Sequence, residues 1–190
     1  MILVLSAPSG TGKTTVLKIL QQKYRLPRVI TCTTRPPRNG ETPGQDYLFV
    51  DEKRFLGMME EGELAEWATV YGHRYGTPKS AIEDRLKAGE PAILALDTQG
   101  AASIKALYPE TIRVALLPPS RSELAARINQ RGRASGETPA TIAARLAESE
   151  KELASLRDYD HRIINDDPER AADRLYRIIR RAEKNFDRPL

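Results

Sequence analysis

Residues Ile2–Leu20, ILVLSAPSGTGKTTVLKIL, decide how the rest of the chain is read. Four apolar residues, Ile2–Leu5, precede a loop of Gly, Ser and Thr. Val16, Leu17, Ile19 and Leu20 then recur at helical spacing, so the order is strand, loop, helix. A phosphate cradle needs inward-turned backbone N–H groups, a helix N-terminus behind them, a lysine for the outer phosphates and a hydroxyl for Mg²⁺. Gly10, Gly12, Lys13 and Thr14 supply these parts in that order, within the loop Ser9–Thr15 (Ser9, Gly10, Thr11, Gly12, Lys13, Thr14, Thr15). The stretch reads as a nucleoside triphosphate site. Where G-x-x-x-x-G-K-[ST] begins with glycine, this chain has Ala7, which fits provided that φ stays negative there.

The 190 residues suffice for one compact core with small inserted lobes. No apolar run approaches the roughly 18 residues of a membrane span. MILVLSAPSG lacks the basic leader and cleavage site of a secretory signal. The lone Cys32 leaves no internal disulfide, suits a reducing cytoplasm and reads as a half-buried strand residue. A net charge of +4 without a basic tail, aromatic-interleaved patch or zinc spacing disfavours nucleic acid as partner.

Further along, Val29–Cys32, Tyr47–Val50, LAEW, HRYGT, residues 92–97 (AILALD), Ile112–Leu117 and His161–Asn165 read as extended. Asp51 reads as the cap of a helix with Phe55, Met58 and Met59 on one face, and Pro78 as the opening of another that Gly89 ends. Ala101–Leu107, residues 121–131 and residues 141–156 read as helices, the last two around the loop RASGETPAT. Asp167 and Pro168 read as the cap and first residue of a final helix. Strands alternating with helices predict an α/β fold on a mainly parallel sheet. Residues 31–80 and 121–149 fit that sheet poorly and read as inserted lobes.

The polar stretch TTRPPRNGETPGQDY narrows the phosphate acceptor. Arg35 and Arg38 can converge as forked donors on one phosphate, with Tyr47 and Tyr75 adding phenolic donors. Glu66, among apolar neighbours in LAEW, needs a partner, and a guanine edge offers it two N–H donors. A surface arginine pair with structural tyrosines and a salt-bridged glutamate is the bland alternative.

Together SAPSGTGKTT, TTRPPRNGETPGQDYLFV, LAEW, YGHRYGT, LDTQGA, RINQRG, the helix carrying Arg145 and IINDD resemble the guanylate kinase family, from residue 2 to about residue 179. The resemblance implies a P-loop NTPase-type parallel sheet flanked by helices, with an inserted monophosphate-binding lobe and a helical lid. The core is then 1–30, 81–120 and 150–190, the GMP lobe 31–80 and the lid 121–149. It implies ATP with Mg²⁺ as donor, GMP and dGMP as acceptors, and a cytoplasmic enzyme without nucleic-acid or membrane partners, its oligomeric state open. By the same resemblance Arg35, Arg38, Tyr47 and Tyr75 bind the GMP phosphate, while Thr31, Glu66, Gly76 and Thr77 line the guanine site. Asp97 stands near base and metal, which Thr14 ligates directly. Arg127, Arg131 and Arg145 close on ATP, with Lys13, Arg38, Arg131 and Arg145 serving catalysis, and Asn165 and Asp166 pass near adenine.

Three features depart from the family pattern. The strand that usually ends acid-x-acid reads Ala95-Leu96-Asp97, and strand alternation would place Ala95 on the side to which Asp97 points. The stretch Arg133–Thr141 is longer than usual, and His73, read as a loop residue, replaces a common asparagine. Two rivals share the loop: a kinase for ribose 1,5-bisphosphate, and a non-catalytic module that binds phosphopeptides in the acceptor pocket.

Overall fold

The computed structural model describes residues 1–70 and 72–186. Strands β1 (Ile2–Ser6), β6 (Ala92–Ala95), β7 (Ile112–Leu117) and β8 (His161–Ile164) form a fully parallel sheet in the order β6-β1-β7-β8. Parallel strands buried on both faces have near-continuous apolar sequences, and Ile2–Leu5 and Ala92–Leu94 are each at most 6% exposed. Alternate residues face opposite helical layers. Leu3, Leu5, Val114 and Leu116 pack on α1 (Lys13–Tyr24) and α7 (Pro168–Phe186), through Val16, Leu17 and Leu20 of the first and Leu175 and Ile179 of the second. Ile2, Val4 and Leu94 pack on α3 (Lys79–Lys87) and α4 (Thr98–Leu107) through Ile82 and Ile104. Burying each such side chain contributes about 1.5–3 kcal/mol.

A second, mixed sheet runs β3-β2-β5-β4, from Leu48–Phe49, Cys32–Thr33, His73–Pro78 and Leu64–Val70. Helix α2 (Glu52–Glu60) covers it, its start fixed by the Asp51 carboxylate accepting the Arg54 N–H at 2.7 Å. This sheet has a core of its own, in which Phe55 and Met58 meet Cys32 and Leu64. A hairpin of α5 (Arg121–Ala134) and α6 (Pro139–Ser155) projects over the phosphate loop, held together by Leu124, Ile128 and Ile142.

Several expectations shift. Val29–Cys32 is not one strand: the Val29 N–H donates to the Ile93 carbonyl at 2.7 Å on the edge of the first sheet. Only Cys32–Thr33 enters the second. Cys32 is fully rather than half buried. His73 opens β5 instead of lying in a loop. Helix α4 begins at Thr98, before Ala101, because the Asp97 carboxylate caps it. The hairpin loop is only 135–138, because Thr138 caps α6 and lets Pro139 start it. Asp97 lies beyond the end of β6, so strand alternation does not tie it to Ala95, which packs into the α1/α7 core. Tyr71 of the YGHRYGT stretch, and 187–190 of the final core segment, lie outside the described residues. No helix among the described residues is long and apolar enough to cross a membrane.

Phe55 is fully buried in a core of few side chains. Phe55→Ala is expected to cost about 3–5 kcal/mol locally. Hydrogen exchange should show β2, β4 and β5 opening more readily while β1 and β7 keep their protection.

Candidate active site

The loop after β1 turns on Gly10 (φ +87°) and Gly12 (φ +97°), conformations that a Cβ disfavours. Arg25 is the only non-glycine residue with positive φ among those described, so Ala7 meets the condition its side chain sets. Two further elements hold the loop. The buried Asn165 amide donates to the Thr11 carbonyl at 2.6 Å, and the Arg127 guanidinium reaches the same oxygen at 3.5 Å. A Cβ on Gly12 would stand 2.6 Å from Asn165 Nδ2. Asn165 therefore braces the loop from β8, while Asp166 is exposed and binds Arg170 of α7.

Lys13 opens α1 and donates to the Leu96 carbonyl at 3.1 Å. Burial lowers its pKa, against the charges of Asp97 and Glu152. Thr14 and Thr15 are exposed on the first turn of α1. Ser9 accepts from Arg145 Nη2 at 2.7 Å, and its backbone N–H faces the Glu152 carboxylate. Arg145 is further occupied: its Nη1 donates to both Glu137 oxygens, at 2.7 and 2.9 Å. Arg131 lies close enough to Arg38 and Arg145 for their like charges to add to the desolvation that lowers its pKa.

In the second lobe, Arg35 is only 6% exposed and makes four hydrogen bonds through its guanidinium. It donates to the Tyr75 hydroxyl (3.2 Å), the Pro36 carbonyl (2.7 Å) and both Glu41 oxygens (2.8 and 2.9 Å). Glu41 also accepts the Arg38 N–H at 2.8 Å, whereas the Arg38 side chain is exposed. The Tyr47 ring meets Tyr75 edge-on at 6.0 Å, and the Arg35 Cζ lies 5.6 Å from its centroid. So Arg35, Tyr47 and Tyr75 converge, with Arg38 on the rim.

Glu66 of β4 is 7% exposed and accepts the Thr77 hydroxyl of β5. Burial pushes its carboxyl up to about 7, with Thr77 opposing and Asp97 adding. Gly100 of α4 leaves room for it, since a Cβ there would lie 2.8 Å from Oε2. The Asp97 Oδ1 accepts the Gly100 N–H at 2.7 Å. Thr31 is buried, and its carbonyl accepts the Leu48 N–H. Gly76 faces the lobe core, where a Cβ would meet Leu64 and Phe55, so its demand is packing. Glu41, Glu137, Glu152 and Gly100 went unnoticed in the sequence. Glu41, Gly100 and Glu137 lie inside the stretches TTRPPRNGETPGQDY, LDTQGA and RASGETPAT, and the signal available was an acid or a gap beside each basic or acidic candidate.

An anion loop on a parallel sheet, facing an arginine–tyrosine cluster on a second sheet, defines a P-loop fold arranged for two phosphate-bearing ligands. The family model described as guanylate kinase matches residues 1–182, and the chain belongs to that family. The guanylate kinase of Nitratidesulfovibrio vulgaris is 46% identical over 176 residues, covering 92% of this chain and 84% of that protein. That of Dechloromonas aromatica is 40% identical over 186 residues, 97% and 91% of the two chains. The crystal structure of guanylate kinase from Anaplasma phagocytophilum superposes with a TM-score of 0.78 at 34% identity, covering 96% and 86%.

Between its ordinary value of 4.5 and about 7, folded Glu66 keeps a proton that the unfolded chain has lost. Stability therefore falls as pH rises through that window. Glu66→Gln cannot ionise yet still accepts the Thr77 hydroxyl. Urea unfolding from pH 4.5 to 8 should show the variant gaining about 2–3 kcal/mol relative to the parent. Parallel profiles would contradict a carboxyl held neutral by burial.

Proposed function

We propose that the protein transfers the terminal phosphoryl group of ATP to GMP, and to dGMP, giving ADP and GDP or dGDP. The observation that carries the reading is the pairing of the Lys13 loop with a second lobe. That lobe joins the Arg35–Tyr75–Tyr47 cluster to the buried Glu66–Thr77 pair. Family membership and the named relatives support the same reading.

In this scheme residues 1–30, 81–120 and 150–190 are the donor core, 31–80 the GMP lobe and 121–149 the lid. Backbone N–H groups of Ser9–Thr15 cradle the ATP phosphates, and Lys13 reaches the outer oxygens. Asn165 and Arg127 fix the loop beside the adenine end. Arg35, Arg38, Tyr47 and Tyr75 hold the GMP phosphate, with Glu41 orienting Arg35. Glu66 accepts the two guanine N–H donors, which favour its carboxylate form over the neutral acid that burial otherwise favours, beside Thr31 and Thr77; this set reads the base and so excludes no 2′-deoxy sugar.

The residues around the loop fit Mg²⁺. The Thr14 hydroxyl is exposed, and Asp97 has one carboxylate oxygen beyond its helix-capping bond, so both donors are the hard oxygens that this ion takes together with water and phosphate. Thr14 would hold it directly and Asp97 through water, and when bound it supplies charge neutralisation on the phosphates. A GMP phosphate oxygen attacks the γ-phosphorus, the bond to the bridging oxygen breaks, and ADP leaves. That oxygen is already anionic, so no general base is needed. Catalysis is alignment and neutralisation by Lys13, Arg38, Arg131 and Arg145, with the lid excluding water.

Ribose 1,5-bisphosphate has no base for the Glu66–Thr77 pair. A phosphopeptide module has no use for the Lys13–Thr14 loop. The substrates and family fit a cytoplasmic enzyme of purine nucleotide metabolism, with small-molecule partners rather than nucleic acid or membrane. Lys13→Ala should lower GMP-dependent ADP release on the order of 10²-fold or more while the fold persists. Near-normal turnover in that variant would refute the scheme.

A further inference from the structure

Arg28 belongs to none of the stretches that carry the family resemblance. It sits just before Val29, where the chain leaves the edge of the parallel sheet, and it is half-buried. From there its side chain crosses to the acceptor lobe. Nη2 donates to the Asp46 carbonyl, and Cζ stands 5.1 Å from the centroid of the Tyr47 ring. Tyr47 thus carries two guanidinium groups within cation–π range, Arg28 and Arg35.

The two arginines differ in what else they hold. Arg35 spends its donors on Tyr75, Pro36 and both oxygens of Glu41. Arg127 and Arg145 likewise have carboxylate partners, Glu123 and Glu137. Among the described residues Arg28 has no carboxylate partner, and its one hydrogen bond uses one of five N–H donors. A half-buried guanidinium without a counter-ion calls for an anion. Its charge also reaches Lys13, where it disfavours the ammonium form. Arg28 therefore lies on the core side of the acceptor lobe, within electrostatic reach of both the donor lysine and the acceptor tyrosine.

We propose that Arg28 is a third guanidinium of the acceptor-phosphate site, donating to the monophosphate dianion from the core side while its stacking contact holds Tyr47 in place. The inference rests on the reading of GMP as acceptor, and it adds a residue to that site. It supplies donors that Arg35, largely committed to Glu41 and the Tyr75 hydroxyl, cannot: Arg28 and Arg38 bring open forks to the phosphate beside Arg35.

The test compares the parent with Arg28→Met and Arg28→Lys, using GMP and guanosine as probes. Steady-state rates give KM for GMP and for ATP, and calorimetry gives Kd for GMP and for guanosine, which lacks the phosphate. Arg28→Met should raise KM and Kd for GMP about tenfold or more, leaving guanosine Kd and ATP KM within twofold. Arg28→Lys should recover part of the loss, since it keeps the charge without the fork. Equal weakening of guanosine and GMP, or a GMP KM within twofold of the parent, would overturn the inference. A parent protein that turns over another acceptor and not GMP would overturn the substrate reading itself, a result that is visible before any variant is made.

Discussion

The Thr11 carbonyl, held by the Asn165 amide, is the contact on which the arrangement depends. The loop can turn its N–H groups inward only because Gly10 and Gly12 take left-handed conformations. Asn165 then occupies the space that a side chain on Gly12 would need. One buried amide thereby joins the end of β8 to the loop after β1, and Arg127 of the lid hairpin reaches the same oxygen. Ile128, on the same helix, lies 3.1 Å from where a Cβ on Gly10 would be. Sheet, loop and hairpin meet at one point, so the loop's shape is fixed by the protein's own contacts.

The charged groups around that point divide in two: three of the arginines are paired with an acid of the same segment. Arg35 has Glu41 six residues on, and Arg145 has Glu137 eight residues back. Arg127 has Glu123 one turn away. Such pairs hold planar guanidinium groups in fixed orientations at little electrostatic cost. What the pairs leave over are Arg38, Arg131 and Arg28, and these are the charges that need an anion. The crowding of Arg131 by Arg38 and Arg145 has the same meaning, since a transferring phosphoryl group would relieve it.

Much of this was legible in the sequence because it is local. A strand, a glycine loop and a helix lie within residues 2–20, and Asp51 and Asp167 announce helix starts by capping chemistry alone. The motif from Thr33 to Tyr47 and the glutamate of LAEW were visible as a phosphate and base set. What was hidden is what depends on contacts far apart in the chain. Nothing near Val29 says that its N–H would join Ile93 while Cys32 turns to another sheet. The space that Gly100 leaves for Glu66 joins residues 34 positions apart. The loop RASGETPAT reads as a long break by composition, yet Thr138 and Pro139 form a helix start inside it.

The central claim is that the Lys13 loop and the Glu66–Thr77 lobe together select a purine monophosphate with two N–H donors on its base edge. The direct measurement is ADP release from MgATP with GMP, AMP, UMP and ribose 1,5-bisphosphate as competing acceptors. The account predicts that GMP takes nearly all the phosphoryl flux, because among these acceptors only guanine offers two adjacent N–H donors to the buried Glu66. Comparable flux to AMP or UMP, or a preference for the sugar bisphosphate, would contradict it.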